Sequence, residues 1–198
     1  DNYYGFEHGN YLKTHVNMGT ALLEHDFGSS VHLRSQVRYA HYVRDARITE
    51  ARVSGTVDAT TSLADIDVDR NQIADNSLET FLQDQTDITF NFRTGAIRHA
   101  FVAGVEDGRE TSAPTRFSFS DVPGTSLIDP DEAQPFAGDA AVRSITDADD
   151  ISVGTYAIDT VRLGKHWELT GGVRVDRFGA SYNQSFPAPA AQFDRVDV

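Results

Sequence analysis

From Val31 the chain alternates between apolar and polar side chains. Val31, Leu33, Val37, Tyr39 and Val43 fall on one face of an extended strand, and His32, Arg34, Gln36, Arg38 and Arg44 on the other. A two-residue period is the mark of a strand with one apolar and one polar side. It recurs where Thr86, Ile88, Phe90 and Phe92 alternate with Gln85, Asp87, Thr89 and Asn91, and again in Ile97, His99, Phe101, Ala103 and Val105. In the last third, Tyr156, Ile158 and Thr160 are expected beside Trp167, Leu169, Val173 and Val175, with Asp159, Glu168, Thr170, Arg174 and Asp176 opposite. The segments pair into three hairpins, about 14–44, 78–110 and 151–179, closing on Gly28-Ser29-Ser30, Arg93-Thr94-Gly95-Ala96 and Gly164-Lys165. If Phe27 pairs with Val31, Glu24 faces Arg34 and Asp26 faces His32, so opposite charges meet on the polar face. Long polar connections, about 45–77 and 111–150, join the hairpins at the other end.

Strands of about 14 residues are long beside the usual five or six. A tilted strand crosses a bilayer in about nine to eleven, whereas soluble sandwiches turn every 8–12 or so. Aromatics gather near strand ends: Phe27, Phe92 and Trp167 at the short turns, and Tyr39, Tyr42, Phe81 and Phe178 towards the long loops. The expected fold is all-β, an antiparallel meander of about six long strands forming part of a large transmembrane β-barrel. Six strands do not close a membrane barrel, for which about eight is the common minimum, and an open edge in lipid costs several kcal/mol per unpaired backbone group. The segment is therefore expected to be an incomplete piece of barrel, and its tail from Phe186 to Val198 an interrupted loop.

Composition narrows the function. None of the 198 residues lies in an apolar run long enough for a membrane helix. No signal-like segment opens the chain, which begins at Asp1 and reads as mature, trimmed or excised. Mean hydropathy is -0.39, a value a barrel tolerates because only alternate residues face lipid. The net charge of -13 disfavours nucleic acid, which needs a basic face. Many carboxylates sit in the expected connections (Asp65, Asp67, Asp69, Asp75, Asp129, Asp131, Glu132, Asp147, Asp149, Asp150). They read as solvated loops, with Ca²⁺ at an outer surface as the sharper alternative. An EF-hand fails, because Arg70 and Asn76 stand where Gly and Glu belong. There is no cysteine, which rules out disulfides and thiolate metal sites. The histidines are scattered, and no metal-ligand set is expected. No nucleophile elbow or phosphate-cradling loop is present. Arg174 with Asp176, and Glu24 with Arg34, read as structural charge pairs. The chain is expected not to be an enzyme and to hold no cofactor.

Several stretches resemble the TonB-dependent siderophore receptors, in particular the catecholate-type branch. Asp1 to Gly5 followed by Glu24-His25-Asp26-Phe27 is similar to that family's opening barrel hairpin, and Val31 to Tyr39 to its return strand. The most specific stretch runs from Gln83-Asp84-Gln85-Thr86-Asp87 through Phe92-Arg93-Thr94-Gly95 and His99 to Gly104-Val105-Glu106 and Arg109-Glu110. His166-Trp167-Glu168-Leu169 and Gly171-Gly172-Val173-Arg174-Val175-Asp176-Arg177-Phe178 resemble a further strand.

The resemblance implies six consecutive strands of a 22-stranded barrel, residues 1–198 being a partial barrel domain without the family's plug. It implies uptake of ferric siderophores across the Gram-negative outer membrane, with iron as cargo only. The partners implied are a ferric siderophore, outer-membrane lipid and the TonB complex acting through the plug, with the complete barrel monomeric. An anionic, aromatic tris-catecholate would meet arginines and aromatic rings, so Tyr42, Arg44, Arg109 and Phe117 are the candidate substrate contacts. The alternative is a self-contained soluble or surface β-domain that binds a ligand or glycan. It would bury Val31, Leu33, Val37, Ile88, Phe90, Leu169 and Val173 against a second layer.

Overall fold

The structure is a computed structural model that describes residues 2–187 and 191–197. Its strands are β1 (Tyr11–Phe27), β2 (Val31–Val53), β3 (Asp67–Thr94), β4 (Ile97–Phe119), β5 (Thr125–Ser126), β6 (Ala140–Leu163), β7 (Trp167–Phe186) and β8 (Ala191–Asp197). They form one antiparallel sheet in the order β1-β2-β3-β4-β6-β7-β8, with the short β5 beside β3. The strands outrun the expected hairpins. β3 has 28 residues and β2 and β4 have 23 each, so residues 45–53, 67–77, 111–119 and 140–150 are wall rather than loop. β2 and β3 pair in unbroken register from Val31↔Phe90 to Val53↔Val68, while β4 and β6 shift register between Arg116 and Phe117. The tail also differs: Ala191–Asp197 pairs with Phe178–Gln184 as β8.

Gly28, Gly95 and Gly164 adopt φ of 71°, 63° and 65°, the left-handed conformation that tight turns need and that glycine takes without strain. The first hairpin pairs as expected, with Glu24 opposite Arg34, Asp26 opposite His32 and Phe27 opposite Val31. The third does not. Its first pair is Leu163↔Trp167, with His166 inside the turn, so Tyr156 faces Arg174 and Ala157 faces Val173. One extra turn residue slips the register by one and moves every side chain of one strand to the other face. Tyr156, Ile158 and Thr160 therefore share the polar face with Arg174 and Asp176, and Asp159 lies on the apolar face.

The apolar face carries Phe27, Val31, Phe90, Phe101, Leu33, Ile88, Ala103 and Val173 in cross-strand rows. Nothing among the described residues covers it: Val37 is 41%, Leu169 55% and Val173 73% exposed. The buried apolar residues are few (Phe6, Ala40, Ala46, Ile66, Val68), and four of the five lie at or beyond the long-loop end of the wall. A two-layered soluble domain would bury that face; here it is bare, and only an apolar solvent would stabilise it. On β2 the apolar positions continue to Tyr39 and Val43, and on β3 to Leu82 and Leu78 past Asp84, whereas on β4 and β7 they give way sooner, at Asp107 and Arg177, which share one row. A boundary oblique to the rows is what strands tilted by about 40° produce. Of the aromatics towards the long loops, Tyr39 lies on the apolar face, and Tyr42, Phe81 and Phe178 lie on the polar face.

At the long-loop end, residues 2–10 and 120–139 fold back against the outer part of β3. Arg70, 4% exposed, anchors them. Its guanidinium donates to the carbonyls of Pro123 (2.8 Å), Asp131 (3.0 Å) and Gly124 (3.0 Å) and to the side-chain oxygen of Gln134, and it lies 4.1 Å from the Phe6 ring centre. Phe6 stacks on Phe136 at 5.5 Å. Burial pushes the Arg70 pKa down, with Asp131 partly opposing. Arg70 and Gln72 stand an even number of residues from Ile88, so this packing is on the apolar side of the wall. The polar face beside it is left open.

A candidate ligand-facing wall

At the depth of the apolar band the polar face is laced by charge. Arg34 reaches Glu24 at 3.7 Å and Asp87 at 4.0 Å. The Tyr156 hydroxyl donates to Asp87 and accepts from Gln85 Nε2 at 3.1 Å. Gln83 donates to Glu106 at 2.7 Å, and Arg174 bridges Glu106 (3.1 Å) and Asp176 (2.8 Å). Two glycines make room. A Cβ on Gly104 would lie 2.5 Å from both Asp87 Oδ1 and Tyr156 Oη, and one on Gly154 would lie 2.5 Å from Arg174 Nη2. Tyr156 on β6 thus reaches β3 by passing over a β4 residue that has no side chain.

Beyond the network, towards the long loops, the same face opens into a cleft of about 370 Å³ bordered by Tyr42, Glu79, Phe81, Glu110, Ser112 and Asp150. A second hollow of about 240 Å³ continues it past Gln83, Glu106, Gly108 and Ser152 to Phe178. Its carboxylates come from β3, β4 and β6. On β2, at the side of this face away from those carboxylates, Arg34, Arg38 and Arg44 stand at even spacing. Aromatic rings between a cationic strand and an anionic wall can hold a planar, polar ligand by stacking and orient it by charge.

The four residues expected to touch substrate fall into two pairs. Tyr42 borders the cleft, and Arg44 lies two residues further out on the same face. Arg109 and Phe117 occupy odd positions of β4, opposite in sense to Glu106 and Glu110, and so project from the apolar side of the wall, above its bare band. Arg109 is engaged there by both oxygens of Asp149, with Nε at 2.9 Å from one of them. Reading residues 111–150 as loop hid the side on which Phe117 lies, whereas Arg109 falls within the expected strand, in phase with Ile97 to Val105. Extending the alternation of Gln83, Gln85 and Asp87 back to Phe81 and Glu79 would have found the cleft; Asp150 and Phe178 needed the third-hairpin register. The expected calcium stretch is dispersed, with Asp65 in a 3-10 turn and Asp67 and Asp69 in β3. Among the described residues no three histidines or carboxylates converge as a metal site.

A long antiparallel wall with one bare apolar face and one charge-laced face is a segment of a membrane β-barrel. Residues 1–196 match the family described as TonB dependent receptor-like, beta-barrel, and the chain belongs to that family. The catecholate siderophore receptor Fiu of Escherichia coli O6:H1 is 26% identical over 187 residues, 93% of this chain and 24% of that receptor. The probable TonB-dependent siderophore receptor PiuA of Acinetobacter baumannii is 26% identical over 211 residues, 96% of this chain and 28% of its own length. In structure, the chain superposes on the open form of the ferric-catecholate import receptor Fiu of E. coli K12 with a TM-score of 0.81 at 22% identity, over 100% of this chain and 32% of the receptor. The chain spans about a quarter of the length of the curated relatives it matches.

Proposed function

We propose that this chain forms part of the wall of an outer-membrane receptor that takes up ferric siderophores by TonB-dependent transport in a Gram-negative bacterium. The observation that carries the reading is the bare apolar face backed by an open polar face, in a chain of this family. The ligand is captured by the extracellular loops and the outer part of the polar face. Energy-coupled movement of a plug inside the barrel then lets it pass to the periplasm. The protein binds and passes its cargo without chemical conversion, and the iron travels within the siderophore rather than as a resident cofactor. The complete barrel works as a monomer in lipid and meets the TonB complex through its plug.

Charge sets where an anionic ferric catecholate rests. It is drawn to Arg38 and Arg44 on β2 and stacks against Tyr42, while Glu79, Glu110 and Asp150 repel it from the far side of the cleft. The test is radioiron uptake and siderophore binding by the full-length receptor in cells lacking other siderophore receptors. Tyr42→Ala with Arg44→Gln is expected to weaken binding about tenfold or more, as loss of one charge contact and one stacked ring would. Arg109→Gln, whose partner is Asp149 on the other side of the wall, is expected to leave it unchanged. Equal effects of the two variants would overturn the placement. Recovery of the full-length protein in the soluble fraction would overturn the receptor and favour a soluble ligand-binding β-domain.

A further inference from the structure

The short-turn rim of the wall has a step in it. Pairing of β2 with β3 ends at Val31↔Phe90, closed by Asn91 N donating to Ser30 O at 2.7 Å. Pairing of β3 with β4 continues to Thr94↔Ile97. Residues 91–94 therefore stand beyond the first turn with one edge free. Two hollows meet at the step and share Ser30, Asn91 and Phe92. The one on the apolar side, about 450 Å³, is walled by Val31, Phe90, Phe92 and Phe101. The one on the polar side, about 610 Å³, carries Arg93, Arg98 and Arg162.

These arginines are direct neighbours across three strands, Arg93↔Arg98 and Arg98↔Arg162. Like charges directly opposite each other destabilise a sheet. Arg162 is relieved by Glu168 at 2.5 Å, while among the described residues neither Arg93 nor Arg98 has an ion-pair partner. Residues 91–100 and 160–167 hold three arginines and one lysine, bounded by Asp159, which binds His99, and by Glu168, in a chain of net charge -13. An anion with an apolar body satisfies both halves of this arrangement: guanidinium groups take a phosphate through paired hydrogen bonds, and the aromatic groove beside them takes hydrocarbon.

We propose that the rim step binds an anionic glycerophospholipid of the inner leaflet of the membrane. Its phosphate lies between Arg93 and Arg98, and an acyl chain lies against Phe90, Phe92 and Phe101. The inference rests on the reading of the chain as a membrane wall, with the short turns at the periplasmic side.

The test is native mass spectrometry of the full-length receptor released from vesicles of mixed phosphatidylglycerol and phosphatidylcholine. The wild type is expected to retain phosphatidylglycerol preferentially. Arg93→Gln with Arg98→Gln is expected to reduce that preference by about thirty-fold, the effect of two interfacial arginines. Phe101→Ser is expected to lower retention of both lipids, and excess inorganic phosphate to displace neither. Equal retention of the two lipids by the wild type would overturn the proposal, as would an unchanged preference in the double variant. Displacement by inorganic phosphate would mark a small-anion site instead. A double variant that keeps its lipid preference but exposes the plug to trypsin would assign the arginines to the plug. Heat-modifiable migration of each variant reports separately whether a membrane barrel has formed, so failure of the lipid site is distinguishable from failure of the membrane reading.

Discussion

Gly104 shows how one absent side chain organises a face. Tyr156 and Asp87 sit on strands that are not neighbours, and their hydrogen bond passes through the space a β4 side chain would fill. Gly104→Ala puts a methyl group 2.5 Å from both partners, so Tyr156 must move or the sheet must bend. Overpacking of this kind costs about 1–3 kcal/mol. Urea unfolding of the full-length protein from lipid vesicles measures it. The cost is expected to fall towards zero in a Tyr156→Ala background, because the group that collides is then gone. An undiminished penalty would place the strain in the backbone. The sequence offers no sign of this role: a glycine within an alternating strand reads as a weak strand residue, and only the register of three strands reveals what passes over it.

For whole strands, legibility followed the clarity of the alternation. β2 and the lower parts of β3 and β4 could be read because Val31 to Val43, broken on the apolar face only at Ser35 and His41, and Gln85 to Phe92 alternate clearly. Their outer extensions could not. There both faces are polar, Arg70 and Gln72 are buried under loops rather than lipid, and hydrophobic period no longer reports on structure. The third hairpin failed for a different reason: a turn of two residues and a turn of three predict opposite faces, and Gly164-Lys165-His166 allows either. The observed register makes a measurable claim. With Trp167→Phe to remove the native tryptophan, Val173→Trp should be quenched by brominated acyl chains, and Tyr156→Trp should not. The register expected from a two-residue turn puts positions 156 and 173 on one face and predicts that both respond alike.

The binding surface of the whole molecule depends on where its loops go. The segment 120–139 holds to the apolar side of the outer wall through β5, Arg70 and the Phe6–Phe136 stack, and none of its residues lines the cleft of Tyr42, Phe81 and Asp150. A receptor that cages its ligand with this loop would have to break those contacts, including every hydrogen bond of a buried guanidinium, each costing about 1–3 kcal/mol if left unmet. Capture by the fixed wall needs no such rearrangement. The two cases separate in one experiment. Asp67 and Ser126 face each other across the β3–β5 pair, and the chain has no cysteine of its own. Asp67→Cys with Ser126→Cys should therefore form a single disulfide that ties the loop down, since directly opposed antiparallel residues lie about 4.5–5.5 Å apart at Cα, within the range a disulfide spans. Oxidised and reduced receptors are expected to take up radioiron at the same rate. Uptake that stops on oxidation and returns on reduction would show that the loop must leave the wall during transport, and would shift the binding site from the polar face to the loop that closes on it.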